Sequence, residues 1–174
     1  ALLLAFFAFA SAGLLSDRVF EHLPHLEDEV AYLYQARIFA GGQLTVDIPE
    51  PRRAFWQPFV VDYTATGQRF GKYTPGWPAL LALGVQFGQP WIINAFGAAL
   101  AVALLYRLGG QLFGREAGLI AALLAAFSPA ALLLNASLMA HTAALVLALV
   151  FLLAYRQLER GSQPLRWALL AGLA

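Results

Sequence analysis

From Ala117 to Tyr155 the sequence runs for thirty-nine residues without one Asp, Glu, Lys or Arg. A helix or strand that faces water shows polar positions at its own period, and this run has no such side. Roughly 20 apolar residues take a helix across the hydrocarbon core of a bilayer. The run is therefore long enough for one helix across, a turn near Asn135 to His141, and one helix back. The whole chain agrees: it is 60% hydrophobic and 12% charged, with a mean hydropathy of +0.67, where a soluble domain has about 25% charged residues. The expected fold class is an all-α membrane protein, a multi-span helical bundle.

Charge is distributed unevenly. Ser16 to Lys72 holds eight of the ten acids and six of the eleven bases, and the other five bases are Arg107, Arg115, Arg156, Arg160 and Arg166. Short basic segments between spans stay on the cytoplasmic side, so both Arg-bearing segments are expected there and the polar segment 16–72 on the outer side. The expected spans are then about 1–15, 90–106, 117–134 and 142–155, with the start of another from 167. Ala1 to Leu15 reads as the end of a first span rather than a cleaved signal, since no basic region precedes it and more spans follow. Pro75 to Gly88 is too short to cross and is expected as an interfacial or re-entrant helix. The chain as a whole, 1–174, reads as the N-terminal part of a larger transmembrane domain. A net charge of +1 argues against a nucleic-acid partner, which needs a concentrated basic field. With no cysteine, thiolate metal sites and disulfides are excluded.

The polar segment has its own punctuation. Glu27, Asp28 and Glu29 precede Val30 to Ala40, which carries Arg37 near its end and stops at Gly41-Gly42. Acids first, a cation late and a glycine stop mark a helix. Val30, Tyr34 and Ile38 share one face and Asp28, Tyr32, Gln35 and Phe39 another, the pattern of an amphipathic helix at the membrane surface. Phe59 to Tyr63 and Arg69 to Tyr73, around Gly67-Gln68, fit a small hairpin.

Three polar sets could carry chemistry. Asp28 and Glu29, at a partly dry membrane edge, could act as general base and support; the plainer reading is an Asp N-cap with a flanking acid. Lys72, followed by Tyr73-Thr74-Pro75-Gly76-Trp77-Pro78, is a cation before a helix start and could neutralise a phosphate. The plainer reading has Lys72 and Trp77 anchoring an interfacial helix. Asn135, Ser137, His141 and Thr142 occupy the turn between two spans, where polar groups face a cavity or another helix. Apart from Tyr155 at its end, His141 is the one ionisable residue between Glu116 and Arg156. His22 and His25, beside Pro24, match no strong metal-ligand spacing.

Taken in order, these motifs resemble the bacterial membrane glycosyltransferases of the GT-C superfamily, in the branch of the protein O-mannosyltransferases and lipid A aminoarabinose transferases. The resemblance rests on Leu26-Glu27-Asp28-Glu29-Val30-Ala31-Tyr32-Leu33-Tyr34-Gln35-Ala36-Arg37, on Lys72-Tyr73-Thr74-Pro75-Gly76-Trp77-Pro78, on Leu112-Phe113-Gly114-Arg115-Glu116-Ala117-Gly118-Leu119, and on a span broken at Ser128-Pro129. It implies a sugar transfer from a polyprenyl-phosphate donor to a glycan, lipid or protein acceptor on the outer face of a bacterial inner membrane. It further implies Asp28 as catalytic base with Glu29 beside it, and Lys72, with Arg37 and Tyr73, at the donor phosphate. Tyr32 and His141 would line the site; where many relatives carry an acid in the second outer turn, this chain has His141. No cofactor and no metal are expected. The readings from other classes are a transporter or flippase, which would place charges or broken helices at the midplane, and a non-catalytic subunit that binds a partner through the outer loop.

Overall fold

Helices form where the apolar stretches run long enough, and glycine and proline divide them. The computed structural model describes residues 1–161 and 163–174. Among these, eight α-helices carry most of the chain: α1 Leu2–Arg18, α2 Glu27–Ala40, α3 Gly76–Gln86, α4 Ile92–Phe113, α5 Arg115–Phe127, α6 Pro129–Ala136, α7 His141–Glu159 and α8 Pro164–Leu173. By length and composition α4 and α7, at 22 and 19 residues, can each cross a bilayer. The pair α5 and α6 also qualifies, bent by 60° at its break. The bend has a local cause. Pro129 lacks the N–H that would continue α5, and Ser128, extended at ψ 122°, caps α6 by accepting from Ala131 N at 3.4 Å.

Small residues let the helices approach. Ala8 and Ala12 of α1, Ala95, Ala98 and Val102 of α4, and Ala122 and Ala126 of α5 form one buried seam. In lipid, where tails are as apolar as leucine, close backbone contact and dispersion hold helices together. The tightest approach joins α4 to α5: a Cβ on Gly118 would stand 2.5 Å from Tyr106 O and 2.7 Å from Gly110 N. Gly114 turns the chain between them at φ +93°, where a side chain would be strained. Large apolar side chains point outward instead; Phe6, Phe96, Leu124 and Phe151 are all exposed. That inversion suits a hydrocarbon surround.

Helix direction sorts the charges. Near its start α4 meets residues 137–139 through Asn94, and α7 departs from the same turn. At the far end, Arg107 of α4 lines a cavity with Ala154 and Gln157 of α7 and Trp167 of α8. The arginine-bearing ends therefore lie opposite the polar segment.

The polar segment folds as a cap between α1 and α3. It holds α2 and a three-stranded antiparallel sheet of order β1-β3-β2: β1 Val46–Asp47, β2 Val60–Tyr63 and β3 Gln68–Gly71. The hairpin expected around Gly67 forms, with Val60 opposite Gly71 and Tyr63 opposite Gln68. The added strand β1, which the sequence did not announce, pairs Val46 with Arg69. α2 is sandwiched. Leu33 and Ala36 pack on Trp77, Leu81 and Ala82 of α3, while Gln35 accepts from Gly71 N at 2.7 Å and donates to Leu44 O at 2.9 Å. Its buried residues include Ala31, Gln35 and Ile38, and the expected face partners Val30 and Tyr34 are only half-buried. The reason is contact on two sides, which a single apolar stripe does not describe.

Candidate active site at the N-terminus of the second helix

Three acids open α2, where free N–H groups and the helix dipole favour negative charge. They take different parts. Glu29 is 1% exposed. Its Oε2 accepts from His25 N at 2.7 Å and Leu26 N at 3.3 Å, and its Oε1 from Leu138 N at 3.0 Å. The bond to Leu26 is one half of a capping box; Leu26 has no side-chain oxygen to supply the other half. A buried carboxylate is tolerable only with such donors. Glu29 thus ties α2 to the turn between α6 and α7.

That turn is held from two more directions. Trp77 Nε1 donates to Leu138 O at 2.9 Å, and Asn94 Nδ2 donates to Ser137 O at 2.6 Å and Met139 O at 2.9 Å. Trp77 is buried rather than displayed at the membrane edge, so the anchoring role considered for it from sequence is corrected: its indole N–H holds backbone. Asn94 escaped the sequence reading, although an amide within an otherwise apolar span is the signal that marks it. Thr142 Oγ1 donates to Asn135 Oδ1 at 2.8 Å, and Ser137 Oγ donates to Leu134 O and accepts from Met139 N. These three side chains shape the turn.

Asp28 is half-buried and accepts a hydrogen bond from the Tyr73 hydroxyl at Oδ1. The Tyr73 ring packs on Tyr32, centroids 4.6 Å apart, and edge-on to Phe59 at 5.8 Å. Burial, and then the hydrogen bond to Asp28 and its charge, push the Tyr73 hydroxyl up to about 12. Burial and the Asp28 charge raise Tyr32 as well. Tyr73 is therefore a proton donor to Asp28 throughout the neutral range. Lys72 is exposed, with Nζ 3.5 Å from the Phe59 ring centre and 4.9 Å from that of Tyr73. Phe59 sits at φ +60° and its carbonyl accepts from Lys72 N at 2.9 Å. A non-glycine residue there is strained, and the β2–β3 ladder holds it.

Asp28, Tyr32, Lys72 and Tyr73 are thus gathered at one place, with Glu29 buried behind them. Arg37 is not brought in: it lies nine residues after Asp28, about 13 Å along the helix, and is exposed. His141 is exposed at the start of α7 and makes no hydrogen bond among the described residues. His22 bonds Ser16 and lies 3.4 Å from Asp17, and His25 Nε2 meets Phe20 O at 3.0 Å. Among the described residues no group of three His, Asp or Glu is placed to hold a metal ion.

The family described as dolichyl-phosphate-mannose-protein mannosyltransferase matches the chain over residues 77–174. That stretch takes in α3 to α8, including Trp77, Asn94 and Leu138, while Asp28 to Tyr73 precede it. No curated protein and no solved structure matches the chain. More than half of the chain is covered, and the match takes in every helix of the bundle except α1. The chain therefore belongs to the dolichyl-phosphate-mannose-protein mannosyltransferase family, membrane glycosyltransferases of the GT-C type.

Proposed function

We propose that this chain carries the acceptor-activating and donor-phosphate-binding part of an enzyme that moves a sugar from a polyprenyl-phosphate donor to an acceptor. The observation that carries the reading is the pairing of Asp28 with Tyr73, which fixes one carboxylate oxygen and leaves Oδ2 without a hydrogen-bond donor among the described residues. Asp28 takes the proton of the acceptor hydroxyl or amine as that atom bonds to the anomeric carbon. The bond from that carbon to the phosphate oxygen breaks, and the polyprenyl phosphate departs through a transition state of oxocarbenium character. Lys72, on the neighbouring position to Tyr73, meets the charge that develops on the phosphate. The scheme calls on no metal ion, because the leaving group is a monophosphate that faces a cation.

Lipid and site geometry favour each other here. A carrier lipid lies in the bilayer with its phosphate at the interface, and Lys72 stands in the cap where the apolar bundle ends. Arginines at the opposite end support a cytoplasmic placement for Arg107, Arg115 and Arg156 and an outer placement for the cap. The enzyme then works on the periplasmic or exterior face of a bacterial inner membrane, as in the bacterial enzymes it resembles. The test compares donors with the full-length protein: transfer is expected from a polyprenyl-phosphate sugar and not from the nucleotide sugar. Transfer from the nucleotide sugar alone would sink the reading.

A further inference from the structure

Away from Asp28, the cap presents an open hollow of about 650 Å³ lined by Arg52, Arg53, Trp56 and Asp62. Its floor is built rather than incidental. Arg69, only 4% exposed, faces Asp62 Oδ1 at 3.2 Å, a charge contact without hydrogen-bond alignment, and also donates to Phe55 O. That buried guanidinium offsets the Asp62 charge. Arg52, whose Nε is 3.7 Å from Asp62 Oδ2, and Arg53, which has no acidic partner among the described residues, therefore leave excess positive charge facing the hollow. Trp56 is 74% exposed beside them, a large ring held in water. Two guanidiniums suit a carboxylate or phosphate, and a bare aromatic face suits the apolar side of a sugar ring.

From these we infer that the hollow binds the acceptor, and that the acceptor is a saccharide chain carrying an anionic group. This rests on the sugar-transfer reading and names the acceptor class for it. The sheet supplies the path. Arg69 lies opposite Asp62 in the β2–β3 register, and Tyr73 follows four residues later, roughly 13 Å on at strand rise. A single small acceptor cannot touch both places, whereas an extended chain reaches from the Trp56 hollow to Asp28. An anionic bilayer surface is the less fitting occupant, since a flat layer of headgroups does not fill a concave hollow.

The test measures binding to the full-length protein in neutral detergent, with no donor present and no turnover required. The probes are tetragalacturonate, a phosphorylated maltotetraose, and the neutral forms of each: the methyl ester and maltotetraose. At least one charged probe is expected to bind tenfold or more tightly than its neutral form. Arg53→Gln, at an exposed position that leaves the fold intact, removes that difference, and Trp56→Ala weakens charged and neutral probes alike. Equal binding of charged and neutral forms, or an unchanged preference in Arg53→Gln, overturns the inference. So does an Arg53→Gln effect seen only in stabilisation by added phosphatidylglycerol, which would make the patch a lipid contact. Because binding is read without catalysis, failure here leaves the transfer reading standing, and loss of that reading shows instead in the donor test.

Discussion

Tyr73 sets how Asp28 presents its oxygens. Sequence placed Tyr73 with the donor phosphate beside Lys72, and the structure gives its hydroxyl to Asp28 Oδ1. The two roles separate in kinetics. The hydrogen bond holds the carboxylate in place, and a misplacement of about 1 Å can cost about a hundredfold in rate. Tyr73→Phe is therefore expected to lower kcat about ten- to a hundredfold with the donor KM little changed; a raised donor KM at normal kcat would return Tyr73 to the phosphate. The pH dependence follows from the hydroxyl pushed up to about 12, above the usual tyrosine value of about 10. Below pH 10 the tyrosine is protonated in both folded and unfolded chains, so it adds no slope to stability. Between about 10 and 12 only the unfolded chain loses the proton, so stability falls as pH rises through that window. Denaturant titrations at pH 9, 10.5 and 12 should show a decline in the wild type that Tyr73→Phe lessens.

At the scale of elements, the joint between α2 and the turn 137–139 distinguishes Glu29 from its neighbour. Glu29→Ala takes the acceptor from three backbone N–H groups, that of Leu138 fully buried, and a buried donor left unsatisfied costs about 1–3 kcal/mol. A marked fall in thermal stability is expected, with Glu29→Gln intermediate because its carbonyl still accepts. An inactive Glu29→Gln with full stability would instead give Glu29 a part in the chemistry. How legible this joint was depends on distance along the chain. Periodicity and caps are local signals, so α2, the β2–β3 hairpin and the break at Ser128-Pro129 could all be read from adjacent residues. The bond from Glu29 to Leu138 spans 109 residues, and nothing at either end announces the other. The partners of Trp77 and Asn94 were hidden likewise, since they are backbone carbonyls, which every sequence has. Strand β1 is two residues long, too short for an alternating pattern.

For the whole molecule, the arrangement is a bundle with small residues inside and large apolar ones outside, a polar cap at one end and arginines at the other. Hydropathy alone was enough to read that helical membrane fold, because lipid leaves a chain few other ways to satisfy its backbone. Orientation can be checked directly, as the chain has no native cysteine. With an impermeant thiol reagent, Thr66→Cys in the cap is expected to label in intact cells and Phe113→Cys at the end of α4 only after lysis; the reverse pattern would invert the topology. The account as a whole turns on Asp28 as general base. Asp28→Asn keeps the size of the side chain, and no helix cap is at stake because Leu26, not Asp28, stands at the N-cap of α2. The substitution removes only the basicity, and loss of a general base costs about 10²–10⁴ in rate. The decisive measurement is sugar transfer from the polyprenyl-phosphate donor by purified full-length Asp28→Asn protein, alongside its melting temperature and donor affinity. The account predicts a folded, donor-binding protein slowed at least a hundredfold; activity within a few-fold of wild type would contradict it.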